Sequence, residues 1–455
     1  MTMNCNRRKF LKLVGGASLA GTLTQLGSAV EISIGASQPS NKSNPDKPNI
    51  IFILADDYGI TGSSSYGGIY KTEHLDALAK GGIRFEYCFS MPLCAPTRAA
   101  CMMGRYGFRT GVVDNGTGGK ASPDKEITIA RLLQQAGYAT AIAGKWHQLT
   151  QLSTPEQAKK WGFDEFLVWD KAKGERYWQP AYNKNGKMLN VTEKDYGPDL
   201  LHEFVVDFIT RHQSKPFFIY YPMVLVHGPI LRTPDSLPDS RDLFADNILY
   251  MDKLIGNLVT ELGRLKLREK TLIVFVGDNG CVRGGTLNGR PIDGAKGSMK
   301  EGGSRVPLVV NWPGTTPANK VCTDLIDVTD LFPTFAEIAG VTLPAGVTID
   351  GHSFAPQIKG KPSKPRQWVY VQLGDRWYVR DNRWKLYNDG TLADMKNAPF
   401  EEIAVQPDKQ TTEGKDARKQ LQTILDNLRG SNTGNIEPAG QNIGTRKSRR
   451  RAGKS

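Results

Sequence analysis

Four nearly unbroken apolar runs set the strongest limit on what this chain can fold into: Asn49–Leu54, Tyr138–Ala143, Phe217–Val226 and Thr271–Gly277. A strand with one face in water alternates apolar and polar side chains. These runs do not, so each is expected to be a strand buried on both faces. Helical patterns lie between them. Thr72 to Gly81 reads as a short helix, with Thr72 its cap and Gly81-Gly82 its stop. Thr128 to Ala136 carries Ile129, Leu132, Leu133 and Ala136 on one face and stops at Gly137, and Asp199 to His212 reads as another helix. A longer helix aligns Ile248, Met251, Ile255, Leu258 and Leu262 before Gly263 breaks it. Helices alternating with fully apolar strands imply an α/β fold with a largely parallel central sheet flanked by helices.

Each run ends in a polar cluster: Asp56/Asp57, Lys145/His147, His227 and Asp278/Asn279. The carboxyl edge of an open parallel sheet is where ligands bind, so four such clusters point to one shared site. An aspartate at a strand end is commonly just a helix cap. Three carboxylates brought together would repel one another unless a cation lies between them. With the Asn279 carbonyl, Asp56, Asp57 and Asp278 offer only hard oxygen donors, which suit calcium or magnesium rather than zinc or copper. Lys145, His147 and His227 add cationic or proton-transferring groups around an anionic substrate.

A net charge of +13 suggests nucleic acid until it is located. Residues 1–29 hold four basic side chains and no acid, and residues 441–455 hold six and no acid, which leaves +3 for the rest of the chain. No nucleic-acid partner is therefore expected for the folded body. Asn6-Arg7-Arg8-Lys9-Phe10-Leu11-Lys12, the mild apolar run Leu13–Leu26 and Gly27-Ser28-Ala29 read as a twin-arginine-type signal peptide over 1–29. The expected route is the Tat export machinery of a bacterium, and the expected location periplasmic or secreted. Residues 30–47, rich in Ser, Asn and Pro, read as a linker. Beyond Cys5 the chain has five irregularly spaced cysteines, which is no disulfide framework, and no CxxC pair or Cys/His cluster suggests zinc. The Gly-, Asn-, Ser- and Arg-rich 430–455 reads as a basic disordered tail.

Leu93-Cys94-Ala95-Pro96-Thr97-Arg98-Ala99-Ala100 resembles the signature of the sulfatase family, Leu-Cys-x-Pro-Ser-Arg-Ala-Ala. Ala55-Asp56-Asp57-Tyr58-Gly59, Gly144-Lys145-Trp146-His147, His227-Gly228-Pro229, Gly277-Asp278-Asn279-Gly280 and the stretch from Gly294 to Pro307 resemble the family's other motifs, in the family's order. Asp327 to Gly340 is similar to the helix that closes its large domain. The resemblance implies an alkaline-phosphatase-like fold, with a catalytic domain over 48–365 and a smaller C-terminal α+β subdomain over 366–429. Trp377 to Glu402 would form that subdomain's antiparallel sheet and Thr411 to Leu428 a terminal helix.

The implied activity is hydrolysis of a sulfate monoester, aryl or carbohydrate, on a sulfated small molecule or glycan. Cys94 would be oxidised to Cα-formylglycine by a formylglycine-generating enzyme. Asp56, Asp57, Cys94, Asp278 and Asn279 would hold Ca2+, with Mg2+ the lesser expectation. The resemblance further implies that Arg98 holds the nucleophile, Lys145 and Lys296 clamp sulfate oxygens, His227 serves the departing alcohol and His147 the release of sulfate. Three departures stand out: Thr97 replaces the signature serine, Met103-Gly104 replaces the usual Thr-Gly, and no second histidine follows His227. Two alternatives stay open, a phosphodiesterase or phosphonate hydrolase of the same superfamily and a catalytically silent sulfated-glycan-binding protein. Specificity is expected in loops such as Lys171–Tyr196 and Arg283–Pro291, and the aromatics Trp169, Tyr177, Trp178 and Tyr182 are either stacking platforms or packing.

Overall fold

The computed structural model describes residues 47–146 and 152–430. The signal segment, the linker apart from Lys47, the tail beyond Gly430 and His147 lie outside these residues. In chain order the strands are β1 (Asn49–Ala55), β2 (Ile83–Phe89), β3 (Ala139–Gly144), β4 (Glu165–Trp169), β5 (Tyr182–Lys184), β6 (Lys187–Met188), β7 (Phe217–Pro222), β8 (Thr271–Gly277), β9 (Thr286–Leu287), β10 (Arg290–Pro291), β11 (Arg305–Asn311) and β12 (Lys320–Asp327). All but β9 and β10, which pair with each other, form one sheet in the order β12-β2-β11-β8-β1-β7-β3-β4-β5-β6. Its centre, β8-β1-β7-β3-β4, is parallel. Antiparallel β11 joins that centre to β2, and β5 and β6 close the far edge antiparallel.

The four apolar runs supply β1, β3, β7 and β8, and every residue of these strands is buried. Along β1, Ile50, Phe52 and Leu54 enter one core while Ile51, Ile53 and Ala55 enter the other, as a strand covered on both faces requires. The first core holds helix Cys94–Met103, helix Leu331–Ile338 and the C-terminal sheet; the second holds helices Glu73–Lys80, Gly197–Arg211 and Leu243–Arg264.

Two boundaries differ from expectation. The run Phe217–Val226 leaves the sheet at Pro222, because proline has no N–H for the ladder. Val224 to Val226 stay buried as a loop laid along Asp56, whose N–H bonds Leu225 O at 2.9 Å and whose carbonyl accepts from Val226 N at 2.8 Å. Gly263 does not stop its helix. The helix runs to Arg264, and Lys266, at φ 58°, makes the left-handed exit that a glycine usually provides.

The C-terminal sheet is antiparallel, β13 (Val369–Leu373) to β14 (Arg376–Arg380), β15 (Trp384–Tyr387), β16 (Leu392–Asp394) and β17 (Ile403–Val405), followed by helix Thr412–Gly430. Among the described residues no helix is long and apolar enough to cross a membrane.

Candidate active site

Because β8, β1, β7 and β3 are parallel neighbours, the residues after them emerge side by side at one edge of the sheet. Asp56 follows β1, Lys145 follows β3, Asp278 follows β8, and the chain after β7 returns to the same edge as His227. The backbone is shaped for this. Asp57 sits at φ 59°, a left-handed conformation unusual for a non-glycine residue, which turns its carboxylate toward the cluster. Gly277 must be glycine, since a Cβ there would lie 1.8 Å from Tyr58 O.

Cys94 opens helix Cys94–Met103 and is fully buried. Its Sγ lies 3.3 Å from Asp56 Oδ1 and 3.8 Å from Asp57 Oδ1. Ligating atoms of Asp56, Asp57, Cys94 and His227 all fall within 4.8 Å of one another. Asp278 joins them by accepting from Asp57 N at 2.9 Å, and Asn279 Nδ2 donates to Asp57 Oδ1 at 2.9 Å. Arg98, one turn along the helix from Cys94, donates to Asp278 Oδ2 at 2.7 and 3.1 Å, to Lys145 O at 2.8 Å, and lies 3.4 Å from Asp56. Lys145 Nζ reaches Asp56 Oδ2 at 2.6 Å and Lys296 Nζ reaches Asp57 Oδ1 at 2.5 Å. His227 Nε2 stands 3.7 Å from Asp57 Oδ2. Cys94 and Arg98 are fully enclosed, whereas the side chains of Lys296 and His227 are 16% and 29% exposed and form the open side of the site.

The residues fit a hard divalent cation. Three carboxylates and a carboxamide converge, and two of their oxygens, Asp57 Oδ2 and Asn279 Oδ1, are buried with no hydrogen-bond partner. Burial would raise Asp56, but Lys145 and Arg98 outweigh it and hold its carboxyl well below the usual range. Burial, then the charge of Asp56, pushes Asp278 up to about 7 despite Arg98. The Cys94 thiol is raised well above its ordinary value by burial and by Asp278, so the unmodified side chain is a neutral thiol rather than a thiolate. Burial would lower Lys296, yet the Asp57 carboxylate beside it raises it, and it stays a cation. Burial lowers His227.

The signature threonine is satisfied, since Thr97 Oγ1 donates to Met91 O at 2.9 Å. Among the described residues the remaining cysteines, Cys88, Cys101, Cys281 and Cys322, are buried free thiols. Tyr177 and Tyr182 are buried and therefore packing, whereas Trp169 and Trp178 are partly exposed. One neighbour has no signal in the sequence: Arg176, from the polar stretch after β4, is buried and bonds His227 Nδ1 at 3.0 Å.

Comparison with known proteins gives a consistent result. A family model described as "Sulfatase" matches residues 48–341, and one described as "N-sulphoglucosamine sulphohydrolase, C-terminal" matches residues 295–430. Arylsulfatase A of Homo sapiens is 33% identical over 71% of this chain and 70% of its own length. N-acetylgalactosamine-6-sulfatase of Canis lupus familiaris is 31% identical over 76% of this chain and 74% of its own. The solved structure of Ps i-CgsB in complex with k-i-k-neocarrahexaose superposes with a TM-score of 0.71 at 28% identity, covering 83% of this chain and 92% of that one.

Proposed function

The chain belongs to the sulfatase family and hydrolyses sulfate esters, and on that premise we propose that its nucleophile is a Cα-formylglycine made from Cys94, working beside a calcium ion held by Asp56, Asp57, Asp278 and Asn279. The observation that carries this reading is the position of Cys94. Its side chain is enclosed at a helix N-terminus, within 3.3–3.8 Å of two aspartates and walled by Lys145, Lys296 and His227, yet its thiol is held neutral. A protonated thiol there is a poor nucleophile. A hydrated aldehyde supplies one hydroxyl to attack sulfur and a second to expel sulfate afterwards. The cation, when bound, polarises a sulfate oxygen and favours the ionised form of the attacking hydroxyl.

The chain's own residues do the rest. Asp278 accepts the proton of the attacking hydroxyl. Arg98 ties Asp278, Asp56 and the Lys145 carbonyl together and so fixes the frame around position 94. Lys145 and Lys296 bring two ammonium groups to the sulfate oxygens, where fixed charges stabilise the transition state without reorganising. His227, on the open side, faces the ester oxygen, and His147 is assigned to sulfate release. The substrate is a sulfated small molecule or glycan. Maturation by a formylglycine-generating enzyme and export through the Tat machinery to the periplasm complete the reading, on the strength of the Cys-Ala-Pro-Thr-Arg and Arg7-Arg8 motifs.

Mass spectrometry of the peptide containing Cys94, taken from active protein, should show the aldehyde. Cys94→Ser should fold, retain the cation and turn nothing over. Full activity in protein whose Cys94 is wholly unmodified would refute the proposal.

A further inference from the structure

Among the described residues, His227 is hydrogen-bonded through only one of its ring nitrogens. Nδ1 lies 3.0 Å from Arg176 Nη2 and 2.8 Å from the Gly228 carbonyl oxygen, and Nη2 also donates to that carbonyl. Nε2 faces the carboxylate cluster at 3.7 Å from Asp57 Oδ2, beyond hydrogen-bond length. A guanidinium has donors and no acceptor. If the ring hydrogen sat on Nδ1, it would point at Gly228 O but stand directly against a cationic N–H donor. If it sits on Nε2, the two hydrogens of Nη2 serve the two acceptors, Nδ1 and Gly228 O, and the positive charge between them offsets their mutual repulsion. The second arrangement pairs Nδ1 and Gly228 O with donors and leaves the Nε2 hydrogen free for a substrate atom. The first leaves Arg176 opposing what it touches.

We propose that Arg176 is a positioning residue that places the single ring hydrogen of His227 on Nε2, so that the imidazole offers an N–H, not a lone pair, to the ester oxygen that departs. The inference rests on the sulfate-ester reading of the site. The partner of one ring nitrogen commonly decides what the other presents, and Arg176 is built to be that partner. It is 5% exposed, and its guanidinium lies 4.5 Å from the Trp169 ring and 5.6 Å from the Tyr177 ring. The Tyr182 hydroxyl donates to its carbonyl at 2.7 Å. The Tyr177 hydroxyl, next in sequence, shares its one hydrogen between Val224 O at 2.9 Å and His227 O at 2.5 Å, so one segment clamps both the backbone and the ring of His227. Among the described residues no carboxylate pairs with Arg176. A buried arginine without a counterion is costly, and here the Nη2 end of the guanidinium is committed to the histidine and the Gly228 carbonyl, while its Nε has no hydrogen-bond partner among the described residues.

The chemistry follows. As the S–O bond breaks, its electron pair moves onto the ester oxygen. Nε2–H shares its hydrogen with that growing charge; the released alkoxide takes its proton from a water molecule, the hydroxide left behind takes the proton that Asp278 accepted from the attacking hydroxyl, and His227 ends the step as it began. The more charge the leaving oxygen carries, the more this donor matters.

The test uses mature enzyme and two esters, 4-nitrophenyl sulfate, whose leaving group needs little help, and a simple alkyl sulfate, whose leaving group needs much. Arg176→Met keeps the stem against Trp169 and removes the donors. It should lower kcat on the alkyl ester about 10²-fold, of the order lost with one transition-state donor, and on the aryl ester by less than about tenfold. Arg176→Lys, which still has only donors, should recover part of the loss. Long-range ¹H–¹⁵N spectra, with His227 assigned from a His227→Asn variant, should show the hydrogen on Nε2 in wild type and on Nδ1, bonded to Gly228 O, in Arg176→Met. Equal losses on both esters, or a wild-type hydrogen on Nδ1, would overturn the proposal. If Arg176→Met does not fold, the wild-type spectrum and Arg176→Lys decide it alone. A wild type that cleaves neither ester would instead count against the reading of the site itself.

Discussion

Glu301 stands between the loop that carries Lys296 and the C-terminal sheet, and replacing it tests whether that sheet holds the loop. Its carboxylate is fully buried and bonds Arg380 of β14, with Arg305 at 3.6 Å. Lys385 of β15, also buried, donates to Met299 O at 2.7 Å and Glu402 at 2.9 Å. Arg305 has a second carboxylate in Glu86 and Lys385 has Glu402, but among the described residues Arg380 has only Glu301. Glu301→Gln therefore strands Arg380 inside the protein. Breaking a buried pair from one side costs about 3–5 kcal/mol. For a body spanning 47–430, an unfolding entropy of about 0.8 kcal/mol/K converts that to a fall in Tm of about 4–6 °C.

The acid dependence has a definite sign. Burial would raise Glu301, but Arg380, Arg305 and Lys385 lower it below its ordinary value of 4.5. Its contribution is therefore complete above pH 4.5 and is lost as pH falls through the lower folded value. The gap between wild type and variant in differential scanning fluorimetry should be constant near neutrality and shrink in acid. Glu301→Gln/Arg380→Met should lose less than the two single variants together, because the double variant leaves no unpaired charge. A variant that melts within a degree of wild type, or strict additivity in the cycle, would refute the reasoning.

Two further outcomes are expected. Metal analysis of active protein should find about one calcium ion per chain, and chelation should lower Tm as well as activity, because Asp56, Asp57 and Asp278 then repel one another; zinc, or no metal, would contradict the site. Lys296→Ala should lower kcat on 4-nitrophenyl sulfate by about 10²–10³, or about 3–4 kcal/mol, and a loss confined to KM would assign it to ground-state binding instead.

The chain alone disclosed its central sheet and most of the residues gathered at that sheet's edge, for a physical reason. Strands covered on both faces must be apolar throughout, so Asn49–Ala55 and Thr271–Gly277 stand out from any half-wet segment, and the polar residues that end them mark one edge. The stretch around Cys94 was legible because its family signature lies in one short continuous run. The rest required contacts between distant segments. Burial alone does not distinguish strand from enclosed loop, so only the pairing of β7 shows that Val224–Val226 leave the sheet to line Asp56. The left-handed turn at Asp57 is imposed by the surrounding packing and has no glycine to announce it. Arg176 lies 51 residues from His227 in a loop marked for specificity, but no pattern in that loop singles out the arginine or names its partner. Its meaning comes from the aromatic ring it rests on and the nitrogen it faces, and the tertiary structure alone brings those together.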